Sequence, residues 1–167
     1  MYILGISCFY HDSAAALNHN GELVAAAMEE RFSRKKHDNS FPTQAVQFCL
    51  KHAGITSDDL EYVVFYEKPL VKFERILLTT LNTFPKSARL WGEALTNWLK
   101  DKLWIKNAIQ KEVGIPYDRV LFSDHHMSHA ASAFFPSPFK EAAVLTIDGV
   151  GEWTTTTLGT ATSVWNG

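Results

Sequence analysis

Tyr2-Ile3-Leu4-Gly5-Ile6-Ser7-Cys8-Phe9-Tyr10-His11-Asp12-Ser13-Ala14-Ala15-Ala16-Leu17-Asn18-His19-Asn20-Gly21-Glu22-Leu23-Val24-Ala25-Ala26-Ala27-Met28 is the stretch that decides the fold. Tyr2–Ser7 reads as a strand, Phe9–Ser13 as a tight polar turn and Ala14–Leu17 as a second strand. Asn20-Gly21 is a strong type I′ hairpin signal, because both residues tolerate positive φ. Glu22–Met28 then returns as a third strand. Three sequential antiparallel strands, the first two joined by a polar loop, form the opening of a mixed sheet.

Helices and strands mix along the rest of the chain. Glu29 to Ser40 is the most charged segment, and its mixed signs describe a solvated connection, with Lys35 and Lys36 facing water or an anionic group. Pro42 opens a helix with Val46, Cys49, Leu50 and Ala53 on one face, and Gly54 ends it. Leu60–Tyr66 and Arg119–Phe122 read as strands. Between them Leu70 to Val113 is helical and bulky: Phe73, Ile76, Leu77 and Leu81 make one stripe, and Trp91, Leu95, Trp98, Leu99 and Leu103 another. Such stripes normally face a core, and a partner surface around Trp91 and Trp98 is the second reading.

Composition narrows the class. With 167 residues the chain can form one substantial core, or one lobe and the start of another. A hydrophobic content of 46%, a charged content of 20% and a net charge of −2 describe an ordinary globular protein, with no reason to expect nucleic acid or an anionic membrane as partner. Cys8 and Cys49 are too few and too isolated for a disulfide framework or a zinc finger, so a reducing cytoplasm is expected. The first residues lack the basic and apolar regions of a signal peptide, and no stretch approaches 18 uninterrupted apolar residues.

Chemistry concentrates at Asp124-His125-His126-Met127-Ser128-His129, just after the Arg119–Phe122 strand. On a helix His125 and His129 project from one face, the spacing with which two imidazoles hold one metal ion. Asp148 follows the apolar strand Ala142–Ile147, and a carboxylate at a strand's C-terminal end is well placed to join such a site. Nitrogen ligands with a hard carboxylate suit iron, zinc or manganese. Each element also has a plainer use: histidine pairs four apart serve packing, and Asp before Gly serves turns. His126 lies roughly 100° around the helix, which suggests a substrate or supporting contact, or a hydrogen bond to a neighbouring loop.

The end of the chain echoes its beginning. Ala142–Ile147 is a strand, Asp148–Gly151 a Gly-rich turn and Trp153–Leu158 a strand, with another turn at Gly159. Two strand–turn–strand openings about 140 residues apart suggest a duplicated fold in which each half contributes a loop to a shared cleft. Gly149, Val150 and Gly151 would cradle a phosphate through their backbone N–H groups, although most short Gly turns are only hairpins. The last residues, Val164 to Gly167, read as a cut through a sheet.

Four stretches together resemble the N-terminal portion of the carbamoyltransferase family, the nodulation-type and antibiotic-tailoring O-carbamoyltransferases. They are Leu4 to Ala16, Ala27 to Lys36, Asp124 to Phe134 and Thr146 to Trp153. The resemblance implies an α/β fold of the ribonuclease-H-like type shared with actin, Hsp70 and sugar kinases. Residues 1–138 would form the first lobe with its mixed sheet, and 139–167 the opening strands of a second such lobe. It also implies transfer of a carbamoyl group from carbamoyl phosphate, through carbamoyl adenylate made with ATP, to a hydroxyl acceptor. Activity is expected only in a longer protein, and the acceptor would be a sugar, an antibiotic or a similar small molecule. By the same resemblance His125, His129 and Asp148 are three metal ligands, with a fourth, an aspartate, beyond Gly167. His11 is the candidate acid–base residue, since an imidazole can take a proton from a hydroxyl near neutral pH. Asp12 and Ser13 are expected to cap the first turn and touch nucleotide phosphate or metal-bound water. The other readings are a tRNA-modification relative, against which the lack of a basic patch argues, and a non-catalytic metal-binding or interaction module. A half-built second lobe would expose apolar sheet surface, so self-association is also expected.

Overall fold

The computed structural model describes residues 1–86, 104–149 and 151–162, and these form two compact units. The helical stripe from Trp91 to Leu103, and Val150, lie outside the described residues.

The first unit is an α/β layer built on one mixed sheet. Its strands are β1 (Tyr2–Ser7), β2 (Ala14–His19), β3 (Glu22–Met28), β4 (Leu60–Phe65) and β5 (Val120–Phe122), in the order β3-β2-β1-β4-β5. β1–β2 and β2–β3 are antiparallel, whereas β1–β4 and β4–β5 are parallel. The hairpin forms where Asn20-Gly21 predicts it, with both residues at positive φ. Alternation puts Leu4 and Ile6 of β1 and Ala15 and Leu17 of β2 in the core.

Between β3 and β4 run α1 (Glu30–Ser33) and α2 (Thr43–Ala53), and α4 (Ile105–Val113) precedes β5. On α2, Ala45, Val46 and Cys49 are buried against β2 and β3, while Leu50 and Ala53 are partly buried. Ile105, Ile109 and Val113 form the buried stripe of α4 at a spacing of four.

The charged segment from Glu29 to Ser40 corrects the expectation of a merely solvated connection. Lys35 and Lys36 are exposed, but Glu29 and Asp38 are buried at 4% and 5% exposure. Pro42, at the N-cap of α2, offers no side-chain acceptor. The Glu29 carboxylate supplies it, accepting the N–H groups of Gln44 at 3.2 Å and Ala45 at 2.8 Å and the Gln44 amide at 3.1 Å. The Asp38 carbonyl accepts the Ser13 N–H at 2.8 Å and the Ser13 hydroxyl at 3.0 Å, so the segment is stitched to the turn after β1. The Asp38 carboxylate accepts the Ser40 hydroxyl at 2.7 Å, which with the Ser33 side chain and the Ser40 backbone N–H lowers its pKa to about 2.

The second unit contains α3 (Pro69–Asn82), α5 (His125–Phe134) and the antiparallel pair β6 (Glu141–Ile147) and β7 (Thr156–Thr162). It takes in Glu67–Ala88 and the chain from Ser123 onward, and α5 packs on β6 and β7 within it. β7 begins three residues later than the Trp153 start expected from sequence. The Asp148 N–H donates to the Thr155 carbonyl at 2.8 Å just before β7 opens, and Gly159 sits within β7 opposite Val144. On α3 the stripe is only half-buried at Phe73, Ile76 and Leu77, and Leu81 is 58% exposed. Pro69 and Lys72, in the first turn, are its buried residues. No described helix is long and apolar enough to cross a membrane.

Two stability predictions follow from these local fits. Glu29→Ala leaves the first turn of α2 without its acceptor and is expected to cost about 1.5–3 kcal/mol, whereas Glu29→Gln, which keeps an acceptor oxygen, costs less. Thermal denaturation checks both, at roughly 2–4 °C per kcal/mol for a chain of this size. A Cβ on Gly151 would lie 2.6 Å from the Thr154 carbonyl and 3.0 Å from the His126 ring, while one on Gly149 meets nothing within 4 Å. Gly151→Ala should therefore cost about 1–3 kcal/mol and Gly149→Ala little, and equal melting points for the two variants would refute this steric account.

Candidate functional site

The site grows from the first turn of α5 and the end of β6. His125 opens the helix, His129 follows one turn later, and Asp148 comes directly after β6. Packing of α5 on β6 brings the three together. His125 Nε2 lies 2.7 Å from Asp148 Oδ2 and 3.1 Å from His129 Nε2, and one donor atom from each of the three falls within 4.8 Å of the others. The His125 and His129 rings stand nearly perpendicular, at 87°. Burial is graded: His125 is buried, Asp148 intermediate and His129 exposed.

This donor set fits a metal ion. Nε2 of His125 has two neighbours, yet a neutral imidazole has at most one proton there to share between them. A cation with bonds of about 2.0–2.2 Å to nitrogen and oxygen accepts lone pairs from all three groups at once. Two nitrogens and one carboxylate oxygen suit zinc, iron or manganese.

His126 does different work. Its Nδ1 accepts the Thr146 hydroxyl proton and its Nε2–H donates to the Thr154 carbonyl, each at 2.6 Å. The Thr146 hydroxyl also meets that of Thr157 on β7. With both ring nitrogens engaged, His126 is a clamp between α5, Thr146 on β6 and Thr154 just before β7. Of the uses open to it from the sequence, these bonds are those of a histidine tied to a neighbouring segment.

Sequence reasoning missed the charged groups behind the histidines. Glu67 and Lys72 are buried at 2% and 5% exposure and pair at 2.5 Å, and the same Glu67 oxygen lies 3.6 Å from His125 Nδ1. Lys68 Nζ donates to Asp124 at 2.7 Å, which raises the lysine pKa, and the Lys68 N–H donates to the buried Glu152 carboxylate at 2.6 Å. The available signal was Glu67-Lys68-Pro69: charges between the end of a strand and a proline that opens a helix.

The remaining candidates are distributed as follows. His11, Asp12 and Ser13 belong to the first unit, in the turn between β1 and β2. His11 is exposed and its ring lies 4.1 Å from that of Tyr10. Asp12 Oδ1 is 3.1 Å from His37 Nδ1. The Ser13 proton is engaged by the Asp38 carbonyl, which leaves the hydroxyl lone pairs for any ligand. Of the expected phosphate cradle, Gly149 is exposed, whereas Gly151 is buried against His126, a packing reason for glycine there. A cavity of about 590 Å³ in the second unit is lined by Val144, Leu158, Met127 and Trp153 with Asp124 and Glu152, and by none of the three clustered donors.

Comparison with known proteins matches this chain to Carbamoyltransferase N-terminus over residues 2–163. An uncharacterized protein of Synechocystis, sll1178, is 54% identical over 173 residues, covering 99% of this chain and 27% of that protein. Nodulation protein NolNO of Sinorhizobium fredii is 34% identical over 151 residues, covering 87% of this chain and 20% of that protein. The chain thus spans about a quarter of the length of these relatives. Among solved structures, the (R)-2-hydroxyglutaryl-CoA dehydratase component A of Acidaminococcus fermentans aligns with 98% of this chain and 48% of its own, at 15% identity and a TM-score of 0.49. On the family match, the chain belongs to the carbamoyltransferase N-terminal family.

Proposed function

We propose that this chain is the N-terminal part of an O-carbamoyltransferase acting on a small hydroxyl-bearing acceptor such as a sugar or an antibiotic. The carbamoyl group comes from carbamoyl phosphate through carbamoyl adenylate, made with ATP, and the first unit is a ribonuclease-H-like lobe, with β6 and β7 opening a second. The observation that carries this reading is the convergence of two imidazole nitrogens and a carboxylate in a chain of this family.

In the proposed mechanism His125, His129 and Asp148 would hold a divalent iron, zinc or manganese ion, which would supply Lewis-acid polarisation of a carbamoyl or phosphate oxygen. His11 takes the proton of the acceptor hydroxyl as its oxygen bonds to the carbamoyl carbon and AMP leaves. Its exposure on a short turn supports access to an acceptor. Asp12 and the backbone around Gly149, Val150 and Gly151 contribute nucleotide contacts, with Ser13 limited to its lone pairs. Two free, buried cysteines support a cytoplasmic setting, and the net charge of −2 supports a small molecule rather than nucleic acid or a membrane as partner. Leu145, Ile147 and Leu158, exposed on β6 and β7, support self-association.

Elemental analysis of the purified chain tests the metal. The expected result is about one equivalent of transition metal in the wild type and at least a tenfold loss of affinity in His125→Ala, His129→Ala and Asp148→Ala. A wild type that takes up no transition metal would sink the site. The role of His11 is separate: in the complete polypeptide His11→Ala should keep its metal and lose roughly 10²–10⁴-fold in carbamoyl transfer. Unchanged turnover would remove His11 from the chemistry.

A further inference from the structure

We propose that the buried Glu67–Lys72 ion pair is a positioning device that biases His125 toward the tautomer presenting its Nε2 lone pair to the cluster, and that the metal affinity of the cluster depends on it. This rests on the reading of His125, His129 and Asp148 as a metal-binding set.

Two opposite charges this deeply buried stabilise a fold no better than a well-packed apolar pair of similar volume, so their presence at 2% and 5% exposure asks for another purpose. The geometry supplies one. Glu67 Oε2 accepts from Lys72 Nζ at 2.5 Å and lies 3.6 Å from His125 Nδ1. That second distance is too long for a hydrogen bond, but it is close enough for a carboxylate to act on the ring through a pocket that screens charge poorly. The anion favours the tautomer with its proton on Nδ1, which directs the Nε2 lone pair at the point shared with Asp148 and His129. Asp148, 2.7 Å from Nε2, pulls toward the other tautomer, so the ring stands between two competing carboxylates. Lys72 offsets part of the Glu67 charge and holds the carboxylate at one position.

The backbone around Glu67 is fastened to the same helix end. Lys68 Nζ bonds Asp124, the residue before His125, and the Lys68 N–H bonds the Glu152 carboxylate. Glu67 is thereby tied beside the ring it acts on.

The test is a Co²⁺ titration of the purified full chain as wild type, Glu67→Gln and Glu67→Gln/Lys72→Met. Visible absorption and chelator competition report on the metal, and circular dichroism and the melting point of the apo proteins report on the fold. The double variant matters because Glu67→Gln alone removes the carboxylate that faces a buried lysine. It is expected to melt near the wild type, yet to bind Co²⁺ about 10–100-fold more weakly with an altered ligand-field spectrum. Wild-type affinity and spectrum in the double variant would overturn the inference and leave the metal reading standing. Loss of fold in the double variant would assign the pair to structure alone and overturn it too. A wild type that takes up no Co²⁺ overturns the metal reading and this inference together.

Discussion

One imidazole holds the candidate site together without joining it. His126 receives a proton from Thr146 on β6 and gives one to Thr154 in the following turn. Those two bonds set how close the first turn of α5 comes to the end of β6. That distance in turn decides whether His125 and His129 on the helix can meet Asp148 after the strand. Gly151 belongs to the same constraint, because a side chain there would occupy the space of the His126 ring and the Thr154 carbonyl. Substitutions at His126 or Gly151 thus act on the site through the path of the backbone, while those at the three donors act on it directly.

The charges follow the same economy of position. The second unit buries Glu67, Lys72 and Glu152, each with a partner: Lys72 for Glu67 and a backbone N–H for Glu152. In the first unit, Glu29 and Asp38 are buried on backbone N–H groups and serine hydroxyls. A buried carboxylate is tolerated where hydrogen-bond donors surround it, and here it turns an otherwise irregular segment into a fixed one. Asp38 carries this furthest, its pKa held near 2 by the serines around it.

Much of this was legible in the sequence where one local rule was enough. Asn20-Gly21 fixed a hairpin, the alternation of Leu4 and Ile6 fixed the inward face of β1, and the spacing of His125 and His129 fixed a shared helical face. What stayed hidden depended on partners distant along the chain. Glu29 looks like one charge in a solvated run until Pro42 leaves α2 without a cap. Glu67 looks like a loop charge, and Lys72 like one more charge on a helix, until the two pair in the interior with Glu67 beside His125, 58 residues later. His126 could not be told from a substrate-binding histidine, because nothing in its neighbours along the chain names Thr146 or Thr154. The Trp153 start of β7 failed for a related reason: β-rich composition does not reveal that the turn after Asp148 closes only at Thr155.

Graded burial of the three donors sets the direction from which chemistry can reach them. His125 is enclosed, with one carboxylate near each ring nitrogen, so its surroundings are fully determined by the protein. Asp148 has about a quarter of its side chain exposed, and His129 is open to solvent. Any group held by all three would be anchored on the His125 side and accessible on the His129 side. Were that group a catalytic metal, the exchangeable position that such sites keep for water or substrate would lie on the His129 face. On that face a change of side chain alters access and exchange most directly, whereas behind His125 it alters the anchor.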